Sequence, residues 1–497
     1  MRKILIFILF LGLNHTLYAE KKNQNKTIDS LTVDMNFSEG LINTYTNEEN
    51  KLYFEISESL LEKELLVVTR LAQLPGSYAG YLNAGSKTAE HVVQFEKHAK
   101  KILLKEVSFT NISDEEDPIS HSVSVNNFKP ILGVFDIKNS EDDKYLIDVS
   151  SYFMSDSPGF NIIRSYEKDN YKIGGVDKKR SFIDSARSFP RNTEILHTLT
   201  FSVNKAPRAN RTKTFSFQIN HSIIALPDNP MPIRYEDERV GWFTINKINY
   251  SSEKLKSDSY NIVRKWRLEP SDLDAYNRGE LVEPIKPIIY YLDPGTPMKW
   301  RKYFKLGIED WNSAFEKAGF KNAIIAKDPP SKEEDPDFSP EDIRYSTVRY
   351  VASTTRNAMG PSVSDPRTGE IIESDIVWYH NHLRSYRNRY LLETGAANTS
   401  ARTLFTPEEE IGEMMRQVIA HEIGHALGLP HNMKASSAYP VDSLRSGNFT
   451  QKFGIATTIM DYARYNYVAQ PGDENIRFVR QLGPYDDYSI EWGYRYF

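Results

Sequence analysis

The stretch from 418 to 433, VIAHEIGHALGLPHNM, constrains the fold of this chain more than any other part of it. His421 and His425 are four residues apart. On an α-helix they stand about 40° around and about 6 Å along the axis, so both imidazoles can reach one metal ion. Glu422 sits about 100° round from His421, close enough to hold a water at that metal without being a ligand. Gly428 lets the helix end and the chain reverse, and His431 can then return as a third nitrogen ligand. Any fold that satisfies this pattern needs a helix buried on one face, followed at once by a tight reversal.

The segment before it carries a helix start. Thr406 is placed as N-cap, Pro407 first and Glu409 third, a capping box with acidic side chains near the positive end of the helix dipole. Ile411, Met414, Val418, His421 and His425 fall on one stripe, so the histidines extend a core-facing surface. Three histidines and a water make a catalytic zinc set with one open position, whereas structural sites are closed, usually by cysteine. The chain has 0 cysteines.

Strands and helices alternate upstream of the motif. KPIIYYLDPG (286–295) is a strand ending in a turn, with Thr296 as N-cap and Pro297 first in the helix that follows. Trp300, Phe304, Ile308, Trp311 and Phe315 form the apolar face of that helix, which Gly319 terminates. NAIIA (322–326) and IRYSTVRYV (343–351) read as strands, and Asp365 to Gly369 as a hairpin turn. From 50 to about 265 the chain holds short alternating runs such as HVVQFE at 91, YLIDVS at 145 and TFSFQI at 214. The fold class expected is therefore α+β and multidomain: a β-rich region over 50–270, then an α/β domain over 271–497. Residues 20–49 are polar and read as a tether or edge segment.

The N-terminus, MRKILIFILFLGLNHTLYAE, has a basic start, a ten-residue apolar run and Ala19 before a polar tract, which reads as a signal peptide over 1–19. The run is about half of the roughly 20 residues that span a bilayer, so no integral membrane span is expected once the leader is removed. An exported chain without disulfides fits a bacterial periplasm, outer surface or secreted location. A formal charge of −5 gives no sign of a nucleic-acid partner.

On these residues HEIGHALGLPH resembles the extended zinc signature of metzincin metallopeptidases. The resemblance implies a methionine turn below the metal, for which ATTIMDYARYNY (456–467) supplies Met460, an apolar floor and not a ligand. Tyr462, two residues on, matches the tyrosine that some members use to bind zinc or steady an oxyanion. DWNSAFEKAGF (310–320), GPSVSDPRTGEI (360–371) and EWGYRYF (491–497) are similar to large exported bacterial metzincin-like proteins with N-terminal domains of unknown function. Those members usually continue past the equivalent of WGYRYF, whereas this chain stops at Phe497.

The resemblance implies a zinc metalloendopeptidase acting on protein or peptide substrates. Its zinc acidifies a bound water, with Glu422 as general base and Tyr462 as oxyanion partner. The substrate would lie extended along 370–379 or the preceding strand. Two rivals stand beside this reading: a catalytically incomplete surface binding or scaffold protein, and a zinc hydrolase of a non-peptide amide. Three lesser readings concern metals and latency. His380 and His382 could form a second metal site, the acidic residues Asp365, Glu370, Glu373 and Asp375 could bind Ca2+, and Asp237 could cap the zinc before activation.

Overall fold

The computed structural model describes residues 27–497 except 77, 79–81, 83, 207–211, 354 and 404; the leader expected at 1–19 lies outside the described residues. The N-terminal region is β-rich. Its strands join into one antiparallel sheet, twelve-stranded among the described residues, that starts at Asn36–Ser38, within the segment read as polar. Alternation decides the faces: along Thr214–Ala225, Phe215, Phe217 and Ile219 point inward and are fully buried. Phe215 and Phe217 pair in register with Phe201 and Leu199 of the neighbouring strand.

The sheet coils until its first edge meets its last strands. The Leu41 N–H donates to the Phe189 carbonyl at 2.8 Å, and a Cβ on Gly40 would lie 2.6 Å from the Phe189 backbone. Phe54, Val67, Phe95, Leu104, Phe135, Ile195 and Ile223 fill the interior so enclosed. Each such side chain contributes about 1.5–3 kcal/mol.

The C-terminal region is α/β. Its sheet contains β1 (Ile288–Leu292), β2 (Ile324–Lys327), β3 (Ser346–Val351), β4 (Ala358–Met359) and β5 (Ile376–Tyr379), in the order β2-β1-β3-β5-β4. All pairs are parallel except the last, where β4 runs antiparallel to β5. The stretch 370–379 therefore does not offer the free edge expected of it. Parallel strands need cover on both sides, β5 is paired with β3 and β4 and fully buried, and the edge is β4.

Helices α1 (Met298–Glu309), α2 (Asn312–Lys317), α3 (His382–Thr394), α4 (Glu408–Ala426) and α5 (Pro484–Tyr494) accompany this sheet. The single helix expected over 300–315 is broken at Asp310 and Trp311. Asp310 pairs with Arg416 at 2.5 Å, and the Trp311 indole N–H donates to the Ala420 carbonyl at 2.9 Å, so both residues serve α4 rather than their own helix. Close packing of α1 on α4 depends on Gly307, where a Cβ would lie 2.6 Å from the Arg416 carbonyl.

Both expected helix starts also move by one residue. Pro297 and Pro407 have extended ψ values of 132° and 144° and stand at the N-cap, leaving the hydroxyls of Thr296 and Thr406 buried without a partner. Proline has no N–H to lose there.

The two regions share a core. Val240, Trp242 and Val263 belong to the same apolar cluster as Phe304, Trp311 and Leu427. The Tyr379 hydroxyl donates to the Ala84 carbonyl at 2.8 Å. No helix among the described residues is long and apolar enough to cross a membrane.

Candidate metal centre

Helix α4 packs its apolar stripe against α1 and the sheet, with Met414, Met415, Ile419 and Ile423 fully buried. The side that runs from Met414 through Val418 carries His421 and His425 to the floor of a cleft of about 1380 Å³. Gly428 then adopts φ +110°, which a side chain rarely tolerates, and a Cβ there would lie 2.3 Å from the Arg264 carbonyl. The reversal brings His431 back over the helix.

The three ring nitrogens meet. Nε2 of His431 lies 3.2 Å from Nε2 of His421 and 3.0 Å from Nε2 of His425. The tautomers follow from the other ring atoms. Nδ1 of His421 is 2.8 Å from the Ile459 carbonyl, and Nδ1 of His425 is 2.8 Å from the Leu429 carbonyl. A carbonyl only accepts, so both Nδ1 atoms carry the proton and both Nε2 lone pairs are bare. Burial lowers all three histidines, His425 to about 4, with Arg480 adding to the effect at His421 and His431.

Bare lone pairs at this separation repel unless a cation lies between them. Tetrahedral zinc with nitrogen ligands at 2.0–2.1 Å sets them about 3.3 Å apart, so the donor set fits zinc. No other group of three or more metal-binding side chains occurs among the described residues.

Glu422 faces the same cleft from α4. Burial pushes its carboxyl up to about 8, against the opposing influence of Arg480 and of the Gly360 N–H that it accepts. Gly360 follows β4 directly, and a Cβ on it would lie 2.2 Å from the Glu422 carbonyl. The sheet edge thus passes over the helix at the carboxylate.

Below the histidines lies the turn around Met460. A Cβ on Gly424 would lie 2.2 Å from the Met460 sulfur, so the missing side chain is what admits the thioether under α4. The Met460 carbonyl accepts the Asn432 N–H at 3.1 Å, which ties the turn to the residue after His431. The Tyr462 ring is half-exposed, with its centroid 4.4 Å from that of His431 and 5.6 Å from that of His421.

Three contributors went unseen in the sequence. Asp486 on α5 accepts from the Thr458 hydroxyl, from the Ile459 N–H at 2.8 Å and from the Gly483 N–H at 2.8 Å, so it holds the turn. Glycine and proline followed by two aspartates, GPYDD, is a helix-start signal that would have singled it out. Arg480, 5% exposed, donates through Nη1 to the carbonyls of Ile459, at 2.8 Å, and Asp461. Phe243 lies against His425, ring centroids 5.9 Å apart. No local pattern marks either residue.

The lesser candidates do not join the triad, although His382 lines the same cleft. His380 meets the Tyr350 hydroxyl at 2.9 Å, while His382 begins α3 with its ring tilted against that of Tyr386, centroids 4.1 Å apart, so the two do not share a strand face. The four acidic residues are each bound to an arginine: Asp365 to Arg367, Glu370 to Arg267, Glu373 to Arg70 and Asp375 to Arg349. Asp237 is bound to Arg239, which holds its carboxyl down at about 2, and it does not line the cleft.

A family model described as Met-zincin matches residues 404–497. Two others, described as domains of unknown function, match residues 25–74 (DUF5118) and 85–271 (DUF5117). No curated protein and no solved structure matches the chain. The C-terminal match and the histidine triad together suggest a zinc metallopeptidase.

Proposed function

We propose that the chain is a zinc-dependent endopeptidase, with His421, His425 and His431 as metal ligands and Glu422 as general base. The observation that carries this reading is the pair of Nδ1–H bonds to Ile459 and Leu429, which leave lone pairs converging beside a carboxylate in an open cleft. A zinc ion held there supplies Lewis acidity toward a peptide carbonyl and toward water.

Glu422 takes the proton of the attacking water and passes it to the leaving amine. The Gly360 N–H acts on its carboxyl, and the same segment offers the free edge of β4 along which an extended peptide can pair. The Tyr462 hydroxyl serves the oxyanion, and Met460 is the polarizable floor under the ligands. In this reading residues 1–19 direct export, and the enzyme works in the periplasm, on the outer surface or in the medium.

The test is digestion of a peptide library by the full-length protein, with added zinc and with a chelator, products being read by mass spectrometry. Internal cleavage that the chelator abolishes is expected. Zinc-loaded protein that cleaves no peptide, or only non-peptide amides, would overturn the proposal.

A further inference from the structure

The cleft carries a charge opposite to that of the whole chain. Lys87, Arg264, Arg356, Arg389, Arg464 and Arg480 line it against two carboxylates, Glu393 and Glu422, while the chain as a whole is −5. Lys87 is bound to Glu90 and Arg389 to Glu393, which accounts for the rim. Among the described residues neither Arg464 nor Arg480 is in contact with a carboxylate, although Glu393 acts on the first and Glu422 and Asp461 on the second through space.

Arg480 is the unusual member. It is 5% exposed, yet every hydrogen bond its side chain makes runs through Nη1, and its Nε is buried without a partner. The Tyr386 hydroxyl, which lines the same wall, is also buried without a partner. Buried donors with nothing to donate to are rare in folded proteins, and a desolvated guanidinium that no carboxylate touches is costly to hold, even with Glu422 and Asp461 acting on it from a distance. Both residues line the cleft, and an anion there supplies both groups with a partner once the two side chains turn toward it. Arg464, over the Tyr462 ring at 5.2 Å, adds a second cation on the same side. Nη1 of Arg480 is 3.4 Å from the His421 ring, so that anion would sit next to the reacting centre.

We propose that this wall is a specificity pocket for an acidic side chain within one or two residues of the scissile bond, its carboxylate received by Arg480 and Arg464 with the Tyr386 hydroxyl donating. The inference rests on the peptidase reading and names its substrate class: acidic peptides and protein segments. A guanidinium matches a carboxylate by paired N–H donors, and a positive, low-dielectric cleft concentrates such substrates before they bind.

Peptides that differ only in carrying Glu, Gln or Leu beside the cleaved bond test this in the full-length protein. The Glu peptide is expected to be cleaved with kcat/KM at least about tenfold above the Gln peptide, as a charged hydrogen bond implies. That advantage should shrink as salt rises. Arg480 also braces the Ile459 carbonyl, so Arg464→Gln and Tyr386→Phe carry the mutational test, and each should lower the Glu-over-Gln ratio.

Binding to zinc-loaded Glu422→Gln protein, followed by fluorescence anisotropy, reads the pocket independently of turnover and should show the same preference. Equal cleavage and equal binding of the Glu and Gln peptides, or a ratio unmoved by Arg464→Gln, would overturn the pocket and leave the peptidase standing. Preferential binding without any cleavage would support the pocket and overturn the peptidase.

Discussion

His421 donates its Nδ1 proton to the carbonyl of Ile459 at 2.8 Å, so the residue just before Met460 sets the tautomer of the first proposed ligand. The same carbonyl accepts Nη1 of Arg480 at 2.8 Å. The turn therefore acts on the ligand through its main chain as well as through the methionine side chain. Partners of this kind fix ring orientation and raise the basicity of the ligating nitrogen.

Glu422→Gln keeps the shape of the site and removes the base. The variant is expected to bind zinc at full stoichiometry while peptide hydrolysis falls by about 10²–10⁴-fold. Metal analysis of the dialysed protein beside initial-rate assays checks both halves, and full activity in the variant would remove Glu422 from the mechanism.

Asp486→Asn tests the support from α5. An amide cannot accept from all three of the donors that the carboxylate satisfies. A buried donor left unpaired costs about 1–3 kcal/mol. With the Ile459 segment loosened, zinc affinity is expected to drop about 10–100-fold. Chelator competition and thermal melts measure the two effects separately.

Gly428→Ala places a methyl group 2.3 Å from the Arg264 carbonyl in a backbone conformation with φ +110°. Strain of this sort costs about 1–3 kcal/mol before the clash is counted. The expected outcome is a lower Tm and zinc occupancy well below that of the parent, because the reversal delivers His431. Retention of both would show that the third ligand reaches the metal by another path.

Acid sensitivity should also arise away from the cleft. His197 and His221 are buried in the β-rich core with their Nε2 atoms 2.9 Å apart, and burial lowers His197 to about 3 and His221 well below its ordinary value. Lowered in the fold, both bind protons more readily when unfolded. Their stabilising contribution is therefore complete above about pH 6.5 and is lost as pH falls from there toward 3. Thermal melts between pH 7.5 and 5 should show Tm falling, and His197→Gln, which keeps a hydrogen-bonding partner for His221, should flatten that slope.

The histidine helix was legible because its information is local: ligand spacing, the apolar stripe and the reversing glycine all lie within one segment. Strand alternation along Thr214–Ala225 was legible for the same reason. What escaped was set by pairing over distance. Arg480 reaches His421 across 59 residues, and nothing near it in the chain announces a partner. The break at Asp310 answers to Arg416 and Ala420 on another helix, which no periodicity within 300–315 can reveal. The edge role of β4 depends on sheet order, and a strand of two residues leaves almost no pattern to read.

The Phe243 N–H donates to the Gly428 carbonyl at 2.8 Å, and Phe243 in turn accepts the Arg264 N–H at 2.8 Å. The hinge of the third ligand is thus bonded to residues synthesised long before it. A complete histidine triad therefore requires that both halves of the chain have docked, and metal capture by it would be a chemical signature of that docking.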